Sequence, residues 1–340
     1  MTTPDPRYAA LVAGAPLAYV SDYLSFVGAD DAGRVCFALD TNRGHDEHPP
    51  SRKGPVEVLQ AETAYAVLHD EHAGWVPQQG VRRYPHPGPA VTTLPDSDWF
   101  AWSGSADTGW TLRSSPNNLE LAVAPLGDRL VGTDPTTLFV MRSAEAVLRW
   151  RGRTIPGRVI HEGLASTSLN LLTRRTFKGL AGLEFLYLLA GDPRRPAGDT
   201  YLQKTLAPRA MAGLPAVTGF ASPAAAGPGA RTGLNDLALD TTAHVRAAGL
   251  YRWPSRWDGG WSHAGPDALA PTASVALQTV SRTIVGKYGV AGFGMSIVEG
   301  ALTEPDGTKT PLYGFAEVLA AGPLMRALAR DGARSPDPRP

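Results

Sequence analysis

The clearest periodicity in the chain lies between Ser281 and Leu319. From Phe293 to Glu299 large and small residues alternate with a period of two, and Tyr313-Gly314-Phe315-Ala316-Glu317 repeats the pattern. Between these runs stands Glu304-Pro305-Asp306-Gly307-Thr308, in which Pro suits the second position of a type I turn and Gly a left-handed bulge position. The stretch is therefore a β-hairpin. Pairing Glu304 with Thr308 sets Glu299 opposite Tyr313, Ile297 opposite Phe315 and Met295 opposite Glu317. One face then carries Phe293, Met295, Ile297, Tyr313 and Phe315 with two carboxylates, Glu299 and Glu317; the other is Gly, Ser, Ala and Val. Carboxylates among large apolar residues suggest a half-polar cavity wall, although a Glu is more often simply solvated.

Short alternating runs recur along the rest of the chain. Tyr19 to Asp40 reads as a hairpin turning at Asp30-Asp31-Ala32-Gly33. His45 to Pro55 reads as a loop, Val56 to Leu68 as strand or short helix, and Trp75 to Tyr84 as a returning strand. Further strands are expected at Asp98 to Ser103, Gly109 to Ser114, Leu119 to Val123, Thr136 to Met141, Ala146 to Trp150 and Thr154 to Glu162. Leu183 to Leu189, Thr200 to Thr205, Leu237 to His244, Ala247 to Trp253 and Ser274 to Val285 follow. Leu164 to Lys178 reads as loop or helix, and Gly322 to Arg330 as a short helix before a disordered tail; residues 1–15 read as a loose arm. Spacings of about ten residues with turn signals between them predict an all-β antiparallel sandwich or barrel. Two domains are expected, at 15–165 and 175–330, with the Pro/Ala/Gly-rich stretch 207–233 as a flexible insertion.

Composition narrows the partners. The 340 residues carry 32 basic and 32 acidic side chains and no basic stripe, which disfavours nucleic acid. Gly 37 and Pro 30 favour turn-rich β architecture over helical bundles. Cys36 is the one cysteine, so no intrachain disulfide forms. Val12 to Val20 is too short and broken for a signal or membrane span, which leads to the expectation of a cytoplasmic protein, monomer or homodimer, from a GC-rich bacterial genome. Nucleophile elbow, P-loop, Cys-x-x-Cys and dinucleotide fingerprint are missing, which argues against common hydrolases, NTPases and Rossmann oxidoreductases.

The blocks GFGMSIVEG, EPDGTK and PLYGFAEVL resemble the closing strands of lipocalin-like proteins of the acyclic carotenoid hydratase and AttH-like group, and RGRTIPGRVIHEGLAS resembles the strand that ends their first barrel half. The resemblance covers Arg149 to Glu162 and Leu237 to Leu319. It implies two lipocalin-like β-barrel or sandwich halves packed together, with a hydrophobic cavity within or between them. It further implies a hydratase, cyclase or Diels–Alderase-like enzyme of natural-product chemistry, and the expectation is an enzyme with no cofactor and no metal that acts on an isoprenoid- or polyketide-like substrate by hydration, cyclisation or a pericyclic reaction. A lipocalin-like carrier of a hydrophobic small molecule is the alternative.

Several clusters could carry such chemistry. Tyr251 to His263 holds Trp253, Trp257 and Trp261, three of eight tryptophans, beside the acid/base types Asp258 and His263. Aromatic faces stabilise developing cations by about 0.5–2 kcal/mol each. The plain alternatives are a core anchor or an exposed carbohydrate-binding platform. Alternation puts Arg158, Ile160 and Glu162 on one strand face and Val159 and His161 on the other, making His161 a candidate base or donor, or else a hydrogen-bonded structural histidine. The expected catalytic set is Glu299, Asp258, His263 and His161. Trp253, Trp257, Trp261, Tyr288, Tyr313, Phe293, Met295 and Phe315 are expected to line the substrate. His-Asp-Glu-His occurs at 45–48 and 69–72 and offers ligand types for zinc, but in turns without a rigid support. Asp40 is read as ending a strand near a barrel mouth, and Trp99, Trp102 and Trp110 as core or cavity wall.

Overall fold

The computed structural model describes residues 19–47, 58–78, 81–86, 100–134, 137–166, 182–205, 217–223, 234–247, 251–263, 272–288 and 291–321. Every regular element among them is a strand, and no described helix is long and apolar enough to cross a membrane. The first eleven are β1 (Tyr19–Asp30), β2 (Gly33–Glu47), β3 (Val58–Asp70), β4 (Gly74–Pro77), β5 (Val81–His86), β6 (Ala101–Ser105), β7 (Gly109–Ser114), β8 (Leu119–Val123), β9 (Gly127–Asp134), β10 (Thr137–Trp150) and β11 (Arg153–Ser166). Then follow β12 (Gly182–Asp192), β13 (Arg195–Thr205), β14 (Val217–Pro223), β15 (Leu234–Ala247), β16 (Tyr251–His263), β17 (Thr272–Tyr288), β18 (Ala291–Thr303) and β19 (Lys309–Ala321).

Two antiparallel sheets result, as an all-β pair of lipocalin-like halves requires. The first runs β4-β3-β2-β1-β11-β10-β8-β7-β6, with β5 on β3 and β9 on β10; the second runs β14-β13-β12-β19-β18-β17-β16-β15. The chain divides into two units, one carrying each sheet. In the second sheet the two end strands, β14 and β15, come into contact, so the sheet curls around its own core. That core holds Leu186, Leu188, Leu202, Leu239, Trp253, Trp257, Trp261, Val275, Leu277, Val298 and Val318. The first sheet's core holds Leu24, Phe26, Phe37, Leu39, Leu68, Phe100, Leu112, Leu121, Leu148, Trp150 and Val159.

The turns follow their residues. At Glu304–Thr308 the Glu304 amide donates to Thr308 O at 2.8 Å, the Gly307 amide donates to Glu304 O at 2.9 Å, and Gly307 adopts φ +86°. The β18–β19 register is the expected one, with Glu299 opposite Tyr313, Ile297 opposite Phe315 and Met295 opposite Glu317. Arg151 and Gly152, at φ +50° and +78°, make the tight β10–β11 turn.

Some expectations need correcting. The stretches expected at Thr136 to Met141 and Ala146 to Trp150 fall, from Thr137 on, in one strand, because the polar residues between them face buried partners instead of ending the ladder; Thr136 lies outside the described residues. Tyr251 to His263 is a strand throughout. His45–Glu47 continue β2, so Asp40 lies mid-strand and the first His-Asp-Glu-His is not wholly a turn; His48 lies outside the described residues. Within 207–233, Val217–Pro223 is a strand paired with β13, while its flanks lie outside the described residues, as do the expected N-terminal arm, the 322–330 helix and the tail.

Candidate active site

On the core-facing side of the first sheet, the lining changes character over two rows. Phe26, Val159 and Ala144 occupy one level. The next is Leu39, Leu24, His161 and Arg142, and the one beyond is Thr41, Asp22, Gly163 and Val140. An apolar barrel wall thus ends in an ionisable cluster. His161 Nε2 lies 2.6 Å from Asp22 Oδ1, and both side chains are almost fully buried. Arg142 Nη1 lies 3.5 Å from His161 Nδ1, and Arg142 Nε pairs with Asp128 at 3.0 Å. Because arginine only donates, Nδ1 is the acceptor in the neutral ring and the Nε2 proton points at Asp22. The Trp110 ring stands edge-on to the imidazole at 4.3 Å, with Trp102 packed against Trp110 at 5.9 Å. Of the expected acid/base groups, His161 is thus held in a dense polar network, with both nitrogens engaged.

Glu162 faces the other way, and that face is buried too. Across the ladder it meets Tyr23 on β1 and Met141 on β10; Tyr23 in turn is opposite Asp40 on β2. Tyr23, Ser25, Ile160, Met141 and Ser143 on this face are all buried. Glu162 keeps part of its surface accessible. Its carboxyl is nonetheless strongly desolvated, and that burial, with the charges of Asp40 and Asp22 added, pushes its pKa up to about 8. An acid with that value carries its proton at neutral pH. Ser21 Oγ donates to Asp40 Oδ1 at 3.4 Å.

The second sheet holds a third buried acid, Glu184. It accepts Trp257 Nε1 at 2.7 Å and Thr241 Oγ1 at 2.8 Å. Burial raises its pKa, and the hydrogen bonds from Trp257 and Thr241 oppose the rise. Strand alternation does not single out Glu184; its one signal in the sequence is a lone carboxylate inside the apolar run Leu183 to Leu189.

The expected tryptophans do converge. Trp253, Trp257 and Trp261 recur every fourth residue of β16, share its core face and are 0–1 % exposed. Buried rings rule out the exposed carbohydrate platform. Asp258 is on the opposite, exposed face and is not brought to them. His263 and Tyr288 end their strands, and their side chains, like that of Phe293, lie outside the described residues. The hairpin faces also exchange roles. The small face packs on the tryptophans: a Cβ on Gly294 would come within 2.6 Å of Trp253. The large face, with Met295, Ile297, Tyr313 and Phe315, is buried on the other side of the sheet, with Glu299 half-buried beside Tyr313.

The second His-Asp-Glu-His is structural. Asp70 accepts the amides of His72 and Ala73 and pairs with Arg153, Glu71 pairs with Arg34 at 2.7 Å, and buried His69 meets Trp75 edge-on at 4.9 Å. Among the described residues, His, Cys, Asp and Glu form no group of three or more placed to hold a metal ion.

No family model matches the chain, and no curated protein does. Solved structures do. A protein assigned as AttH (NE1406) from Nitrosomonas europaea matches with TM-score 0.56 at 12% identity, over 94% of this chain and 98% of its own. Kievitone hydratase from Nectria haematococca matches with TM-score 0.51 at 10% identity, over 89% of each chain. CghA, solved with Sch210972, gives TM-score 0.48 at 14% identity, over 90% of this chain and 89% of its own. The chain has the fold of the AttH-like group that its closing strands resemble.

Proposed function

We propose that this protein is a lyase- or isomerase-type enzyme, a hydratase or cyclase, that protonates a hydrophobic isoprenoid- or polyketide-like substrate from Glu162 without a cofactor. The observation that carries the reading is the placement of Glu162, half-buried opposite Tyr23 and Met141 in the ladder, where desolvation and the charges of Asp40 and Asp22 push its pKa up to about 8. Hydration and cyclisation of an unsaturated substrate need a proton delivered to carbon in a site with little water. The Glu162 O–H bond breaks as a C–H bond forms, leaving a carboxylate and a cationic substrate. Tyr23, opposite Glu162 in the ladder, offers an aromatic ring to that charge, and water or an internal nucleophile then closes the reaction and returns a proton to Glu162. Kievitone hydratase, which shares the fold, is a hydratase by name, and that supports the class.

The test is turnover in D2O with a panel of polyenes, prenylated phenols and polyketide-like trienes. Wild type incorporates one solvent deuterium at carbon per turnover, and Glu162→Gln loses at least about 100-fold of that rate. A Glu162→Gln variant that turns over normally removes Glu162 from the chemistry. Apolar ligand bound without turnover in wild type replaces the enzyme by a carrier.

A further inference from the structure

The cluster behind Glu162, on the opposite face of the sheet, has a need of its own. Asp22 is 2 % exposed and Trp110 6 % exposed. Both border the same imidazole: Asp22 through its Oδ1 at 2.6 Å and Trp110 through its ring at 4.3 Å. Yet among the described residues neither Asp22 Oδ2 nor Trp110 Nε1 has a hydrogen-bond partner. One is an acceptor without a donor, the other a donor without an acceptor, and buried polar atoms are almost always satisfied. His161 cannot serve them, since its Nε2 already meets Asp22 and its Nδ1 already meets Arg142. Gly163, opposite Asp22 in the ladder, adds no side chain to this row. A group that donates once and accepts at least once would satisfy both atoms, and a hydroxyl is the smallest such group. An anion would meet Asp22, and a cation would meet Arg142 and the indole N–H.

We infer that this end of the first barrel is a hydroxyl-binding site, in which one oxygen donates to Asp22 Oδ2 and accepts from Trp110 Nε1. Water and the alcohol end of an apolar ligand supply the same chemistry, and the apolar wall of Leu24, Leu39 and Val159 next to the cluster suits the latter. The inference does not rest on Glu162, whose side chain lies on the other face.

The test follows the indole N–H resonance of Trp110, assigned with Trp110→Phe, in the full-length protein. 1-Hexanol is titrated against 1-methoxypentane, which matches it in size and keeps the acceptor but lacks the O–H. The expected result is a saturable shift of that resonance with hexanol, at least about tenfold weaker with the ether, and weaker again in Asp22→Asn. If hexanol leaves the resonance unmoved, a long-lived water cross-relaxing with the Trp110 N–H identifies water as the hydroxyl source. Equal binding of alcohol and ether, or neither alcohol nor water at Trp110, overturns the inference. Because the alcohol–ether comparison uses unmodified protein, it stands even if Asp22→Asn fails to fold.

Discussion

Glu162 makes a prediction in which stability and activity move in opposite directions. Its carboxyl ionises near 4.5 in an unfolded chain and near 8 in the fold. A carboxyl whose folded pKa is raised gives the fold its full stability below the unfolded value, and that stability is lost as pH rises from about 4.5 to about 8. Across that window folding takes up a proton, at a slope of about 1.4 kcal/mol per pH unit. At about pH 7 the accumulated loss has a ceiling of roughly 3 kcal/mol. Glu162 keeps part of its surface accessible, so screening lowers the figure, and about 1–3 kcal/mol is the working range. Glu162→Gln keeps the shape and the neutral charge of the protonated acid while removing the titration. The variant should match wild type at about pH 4.5 and exceed it by about 1–3 kcal/mol at pH 7, a rise of roughly 2–10 °C in the melting temperature of the unit that holds it. The assay is a set of paired urea and thermal melts from pH 4.5 to 8.5, alongside the deuterium-incorporation rate. Gain in stability with loss of turnover is the signature of an acid kept for chemistry. A stability difference that is flat with pH, or a variant less stable than wild type at every pH, would show that the carboxyl is not held protonated by its surroundings and would refute the reasoning.

Other expectations follow from contacts outside that face. Arg153 joins three turns through Asp30 at 2.5 Å, Asp70 and the Gly33 carbonyl at 3.1 Å; Arg153→Met should cost about 2–4 kcal/mol in a urea melt, since it strands two partly buried carboxylates. Both carboxyls are held below their ordinary value, Asp30 chiefly by its bond to Arg153 and Asp70 by amide and guanidinium donors that outweigh its burial. Their contribution should therefore be complete above the ordinary carboxylate value of 3.8 and fade as pH falls through the depressed values, a loss Arg153→Met no longer shows. Trp257→Phe removes the 2.7 Å indole bond to Glu184 and should cost about 1–3 kcal/mol while raising the Glu184 pKa further, read by carboxyl NMR. Gly294→Ala drives a Cβ to within 2.6 Å of Trp253 and should destabilise the second unit by about 1–3 kcal/mol, measured by chemical melts. Asp258→Asn, on the exposed face of its strand, should leave turnover within about twofold.

How far the sequence could be read depended on how many faces each strand buries. Turn chemistry was local and legible: Pro305-Asp306-Gly307 and Arg151-Gly152 each bring their own conformational preference, so the hairpins and the Glu299–Tyr313 register follow from residues a few positions apart. Alternation also told correctly that His161 and Glu162 point to opposite faces. It failed to say which face is the interior, because a period of two distinguishes inside from outside only where one face meets water. On β15 to β17 it does: Ser274, Ala276 and Gln278 are exposed while Ala273, Val275 and Leu277 are buried, and the three tryptophans of β16 separate cleanly from Asp258. On β1, β11, β18 and β19 both faces are buried, so Asp22 and Tyr23, or Ser296 and Ile297, are adjacent and equally enclosed. The large face of the hairpin then looked like the barrel interior, whereas glycine and serine occupy it because the tryptophans of β16 fill that space. The same ambiguity hid the acids. A carboxylate in a strand with one wet face defaults to the wet face; in a strand with none it is at least partly enclosed on whichever side it takes. Glu162 and Glu184 are such residues, and strands buried on both faces are where unexplained carboxylates merit the first mutations.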